Sequence, residues 1–98
     1  MSYKIQNIEL IEKKWIPSAI VNANNEVTIT SSKISSELNL IDPILIGNKE
    51  IILNICKNIK WDLSEDKIID SPNEKKSSEI ACKLASKNEV KLLVKGHM

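Results

Sequence analysis

Pro43-Ile44-Leu45-Ile46-Gly47-Asn48-Lys49-Glu50-Ile51-Ile52-Leu53-Asn54-Ile55-Cys56-Lys57-Asn58-Ile59 is the stretch that decides the fold. Its opening, Pro43 to Ile46, is a short apolar run closed by Gly47-Asn48, as suits a strand buried on both faces. The continuation places Ile51, Ile52, Ile55 and Ile59 on one broad apolar face, which predicts a helix from about 49 to 59. After the loop Trp61-Asp62-Leu63-Ser64-Glu65-Asp66, a second apolar run, Lys67-Ile68-Ile69-Asp70, reads as another strand. Two short strands joined through an amphipathic helix make a parallel pair, because a hairpin needs only a tight turn.

The same alternation extends outward in both directions. Upstream, Ser18 to Val21 is a short apolar strand closed by Asn22-Ala23-Asn24-Asn25. Between it and Pro43 the pattern is ambiguous. Val27-Thr28-Ile29-Thr30 has strand propensity, yet Val27, Ile34, Leu38 and Ile41 share a helical face that Asn24 or Asn25 can cap. The reading favours a helix over 25–39, against a strand at 27–30 followed by a shorter helix. At the start, Tyr3, Ile5, Ile8, Ile11 and Trp15 recur at helical spacing, so a leading amphipathic helix is expected over 1–15, ending before Ile16-Pro17. Downstream, Ser71-Pro72-Asn73-Glu74 is a helix-start signal, with Ser71 as the cap and Pro72 at the first helical position. Ile80, Ala81, Leu84 and Ala85 supply that helix's inner face, and Asn88 closes it. Val90 to Val94 follows as a fourth, buried strand. The whole is one α/β domain over 1–98: a three-layer, Rossmann-like parallel sheet of about four strands with flanking helices and right-handed crossovers.

Composition narrows the function classes. The chain has 98 residues, a net charge of +1, 42% hydrophobic and 28% charged residues, which is ordinary for a globular domain. All 14 basic residues are lysine, so the planar bidentate guanidinium most used to grip phosphates and carboxylates is missing. No basic stretch is interleaved with aromatics, which argues against nucleic acid. Cys56 and Cys82 have no metal-ligand spacing and read as small hydrophobes in a reducing compartment. No apolar run reaches a membrane-spanning length and no signal-peptide pattern opens the chain; the expectation is a cytoplasmic protein without membrane contact. Two glycines exclude both a dinucleotide fingerprint and a P-loop. A single histidine without a G-x-S-x-G element argues against a serine-histidine-aspartate triad, and no catalytic residue is assigned.

A parallel sheet delivers its strand ends to one edge. Here these are Asn22 and Asn24, Gly47 and Asn48, Asp70 and Ser71, then Lys95, Gly96 and His97. Helices opening from such ends present backbone N–H groups that favour anions. The candidate substrate-binding residues are Lys95, Gly96, His97, Ser71 and Asn22. Each also has a plain reading: Ser71 as a cap, Asn22 in a turn, His97 as an exposed residue near the last position.

From about Ile16 onward the chain resembles the opening of the phosphate acetyl/butyryltransferase (phosphotransacetylase) family. Leu40-Ile41-Asp42-Pro43-Ile44-Leu45-Ile46-Gly47 resembles that family's second strand, and Ile68-Ile69-Asp70-Ser71-Pro72-Asn73-Glu74 its third strand and helix start. Val90 to His97 resembles its fourth strand, ending Lys-Gly-His, and Trp61-Asp62-Leu63-Ser64 the loop before the third strand. The resemblance implies an isocitrate/isopropylmalate dehydrogenase-like fold and exchange of an acyl group between coenzyme A, a substrate rather than a cofactor, and phosphate. It also implies that the catalytic arginine, serine and aspartate lie beyond position 98, with Lys95, Gly96 and His97 supporting the cleft. The expectation is therefore a truncated first portion, inactive alone, that binds acyl-CoA or phosphate. The alternative is a non-catalytic module pairing through an exposed sheet edge with itself or with a separately encoded C-terminal chain.

Overall fold

The computed structural model of the chain describes residues 15–95. The leading helix expected over 1–15, apart from Trp15, and the candidate residues Gly96 and His97 fall outside them. In order, the elements are β1 (Ile16–Val21), α1 (Glu26–Glu37), β2 (Ile41–Gly47), α2 (Lys49–Asn58), a 3-10 turn (Glu65–Lys67), β3 (Ile68–Asp70), α3 (Glu74–Ser86) and β4 (Leu92–Lys95). The four strands form one parallel sheet in the order β3-β2-β1-β4. The expected α/β architecture and about four parallel strands are those of the described residues.

Side chains alternate across the sheet and split the core in two. Ile20, Leu45 and Ile68 pack with Ala23, Ile29, Ile52 and Cys56 under α1 and α2. Ala19, Val21 and Ile46 face the other way, against Ala81 of α3 and Val90. Ile20, Leu45 and Ile46, at most 2% exposed, anchor the two layers; burying one such side chain stabilises by about 1.5–3 kcal/mol. This arrangement, helices on both faces of a parallel sheet, is the three-layer form.

The ambiguous segment is helical over Glu26–Glu37, with Asn25 as its cap: Thr28 N–H donates to Asn25 Oδ1 at 2.8 Å. The strand at 27–30 does not form. Its buried face, however, differs from the expected one. Ile29 and Ser32 are inside, while Val27, Ile34 and Leu38 are 77%, 51% and 63% exposed. Ser32 is small enough to let the helix sit close to the sheet, and its hydroxyl donates to the Thr28 carbonyl at 2.9 Å, so its burial leaves no polar atom unpaired.

Two further expectations need correction. The cap of α3 is Asn73, whose Oδ1 accepts from Lys76 N–H at 2.8 Å, and the helix starts at Glu74. Ser71 lies before it, and Pro72 is outside the helix. The fourth strand is not buried: Val90 is, but Leu92, Leu93 and Val94 are 41%, 45% and 37% exposed. The cause is position, since β4 is an outer strand paired only to β1 among the described residues.

Candidate functional site

The strand order creates a switch point. From β1 the chain moves one way to β2 and β3, then returns through α3 to lay β4 on the opposite side of β1. In open α/β sheets ligands bind at the carboxyl ends of strands flanking such a reversal. Here the flanking strands are β1 and β4, and Val21 is paired in register with Lys95. Asn22 therefore follows directly beside Lys95, and these two candidates meet at the switch point. Ser71, at the end of β3, stands two strands from β1.

Asn22 has a left-handed backbone, φ 58, which turns the chain sharply off β1. Its Oδ1 accepts from Asn24 Nδ2 at 2.9 Å, and Asn24 Oδ1 in turn accepts from Asn48 N–H at 2.7 Å. Asp70 Oδ1 accepts from Lys49 N–H at 3.0 Å, while Ile51 N–H donates to Asn48 Oδ1. Two backbone bonds, Ala23 N–H to the Ile46 carbonyl and Ser71 N–H to the Gly47 carbonyl, complete the lacing. The ends of β1, β2 and β3 are thus tied into one polar ridge.

Gly47 permits this closeness. A Cβ there would strike Asn24 Oδ1 and lie 3.2 Å from the Ala23 backbone nitrogen. The ridge also settles the electrostatics of α2. A helix N-terminus attracts anions, but at α2 the Asp70 carboxylate already sits on the first turn. A second anion there would meet like charge.

Lys95 Nζ lies 2.9 Å from Glu74 Oε2, joining the end of β4 to the start of α3. Both side chains are more than half exposed, so this pair is weak and open to exchange with a stronger anion. Ser71 is 5% exposed; its Oγ accepts from Ser77 Oγ at 2.8 Å and donates to the Asn73 carbonyl at 3.1 Å. These bonds pin the strand-to-helix turn, and the hydroxyl faces inward. The Lys95–Glu74 pairing had no signal in the sequence, because only the return of β4 to β1 brings the two together. Among the described residues, no cluster of three or more histidine, cysteine, aspartate or glutamate side chains is placed to hold a metal. No described helix is long and apolar enough to cross a membrane.

No family model matches the chain. Among curated proteins it is 36% identical over 92 residues to a phosphate butyryltransferase from Clostridium beijerinckii, a match covering 90% of this chain and 30% of the relative. The chain matches the N-terminal portion of the phosphate acetyl/butyryltransferase family. A phosphate acetyltransferase from Rickettsia typhi is 28% identical over 83 residues, covering 85% of the chain and 24% of the relative. The phosphate butyryltransferase of Clostridium acetobutylicum is 27% identical over 92 residues. The chain spans less than a third of the length of these phosphate acyltransferase relatives.

Proposed function

We propose that these 98 residues form the first portion of a phosphate acyltransferase-like protein and supply one wall of an acyl-CoA and phosphate cleft. The observation that carries this reading is the match, over most of the chain, to curated phosphate butyryl- and acetyltransferases. In the reaction a phosphate oxygen attacks the thioester carbonyl, the C–S bond breaks, and the coenzyme A thiolate leaves with an acyl phosphate formed. The carbonyl oxygen carries negative charge in between, and stabilising that charge is the larger part of the work. Asn22, Lys95, Gly96 and His97 fit a supporting role: Lys95 offsets phosphate charge and Gly96 allows close backbone approach. Ser71 serves by holding the turn that carries α3.

On this reading the 98 residues alone do not turn over, because they hold no guanidinium to stabilise the developing negative charge. They act in the cytoplasm, with coenzyme A as substrate. The test is release of free coenzyme A from butyryl-CoA, with and without phosphate. The expected rate is that of the buffer; phosphate-dependent release by the purified chain would overturn inactivity. Titration with coenzyme A and with phosphate, followed by Trp15 and Trp61 emission, tests the binding role. A saturable change that Lys95→Ala weakens supports it; no response to either compound removes it.

A second reading rests on β4, whose outer edge carries no strand among the described residues and whose apolar side chains are half-exposed. Such an edge is a template for another chain. An antiparallel pairing of β4 with its own copy about Leu93 sets Lys91 opposite Lys95, and like charges directly opposed are destabilising. A strand of different sequence is therefore a better partner than a second copy. Sedimentation at micromolar concentration checks this: a self-associated chain counts against that choice of partner.

A further inference from the structure

Over β4, on the face that carries α1 and α2, there is no helix among the described residues. The space is an apolar groove of about 360 Å³. Val27, Ser31 and Ser35 of α1 form one wall, Leu92 and Val94 of β4 the other, and Ile20 the floor. Val27, Leu92 and Val94 are left 77%, 41% and 37% exposed along it. Ser31 and Ser35 are small, so the α1 wall offers room for larger side chains from an occupant.

We propose that this groove is the seat of residues 3–15 of the same chain. Tyr3, Ile5, Ile8, Ile11 and Trp15 form an apolar series at helical spacing, with Lys4, Glu9, Glu12, Lys13 and Lys14 between them. That series needs an apolar partner, and the groove is an apolar surface that no helix among the described residues covers. The connection is direct. Trp15 already borders a cleft with Ser36, Ile41 and Asp42, at the end of α1 and the start of β2. Ile41 also lines the groove, so the segment meets the groove's end without a linker. Lengths agree as well: in helical form the segment measures about 20 Å, against about 18 Å for α1 beside it, at 1.5 Å per residue. A tethered segment also competes at an effective concentration on the order of millimolar, well above a second copy at working dilution.

The test uses the full chain. Ile8→Asp/Ile11→Asp places charge on the docking face; the expected result is a severalfold rise in the emission of a dye that binds exposed apolar surface, with a lower urea midpoint. Should that variant fail to fold, a double-mutant cycle pairing Ile8→Ala or Ile11→Ala with Leu92→Ala or Val94→Ala decides. Non-additive stability changes support the docking, and strictly additive ones in every pair overturn it. A wild-type chain that sediments as a dimer, and gains dye emission on dilution, would make the second copy the occupant and also overturn it.

Discussion

Gly47 carries the tightest steric demand at the carboxyl edge. Any side chain there pushes against Asn24 Oδ1, which is also the acceptor for Asn48 N–H at 2.7 Å. Gly47→Ala is expected to cost about 1–3 kcal/mol, from overpacking and a weakened hydrogen bond, read as a lower urea midpoint with unchanged slope. Asp70→Ala removes the carboxylate from the first turn of α2 and is expected to cost about 1 kcal/mol; it also frees that turn to take an added anion, which phosphate-dependent stabilisation of the variant would reveal. The two cysteines should separate cleanly. Cys82 is exposed and Cys56 buried, so a thiol reagent is expected to consume one group rapidly and the second only on unfolding. Burial raises the Cys56 thiol above its ordinary value of 9.0. The folded state therefore holds the proton more tightly than the unfolded one. Its contribution to stability is complete below pH 9.0 and is lost as pH rises towards the folded value. Chemical unfolding of wild type and Cys56→Ala above pH 9.0 checks this, the variant lacking that part of the slope.

At the scale of elements, the three α-helices among the described residues end alike. Asn39, Lys60 and Asn88 adopt φ of 62, 59 and 62, and each ending makes the paired backbone bonds of a Schellman closure. A chain with two glycines, neither in these places, closes its helices with residues that carry a Cβ. Asparagine tolerates the conformation; lysine does so at a cost on the order of 1 kcal/mol. Lys60→Gly is expected to recover about that much, measured as a raised thermal midpoint. Asn88 was legible as such a closure, and so were the helix over 49–59 and the alternation of strands around it, because their apolar spacing is unambiguous. The start of α3 was not. Ser71-Pro72-Asn73-Glu74 fits a cap at Ser71, but Asn73 is an equally good cap two residues later, and contact between Ser71 and Ser77 draws Ser71 inward instead. The face of α1 departs from its apolar pattern: Val27, Ile34 and Leu38 are more apolar than Ser32, yet Ile29 and Ser32 are the buried pair.

For the whole molecule, the strand order is what local pattern does not encode. Asn22 and Lys95 could each be picked out as strand-end residues, but their adjacency follows from β4 lying beside β1. Nor does any spacing rule mark Asn24 and Asp70 as the groups that tie the strand ends together. The same long-range pairing has a consequence in time. Ser18 of the first strand waits for Leu92 of the last, with β2 and β3 laid down on its other side in between. As the chain is synthesised, β1 therefore spends almost the whole interval as an outer strand with a bare margin. A pause in translation just before Leu92 would prolong that state and invite stray pairing. Swapping rare for common codons in that stretch is expected to alter the soluble yield of this chain without altering the protein finally made.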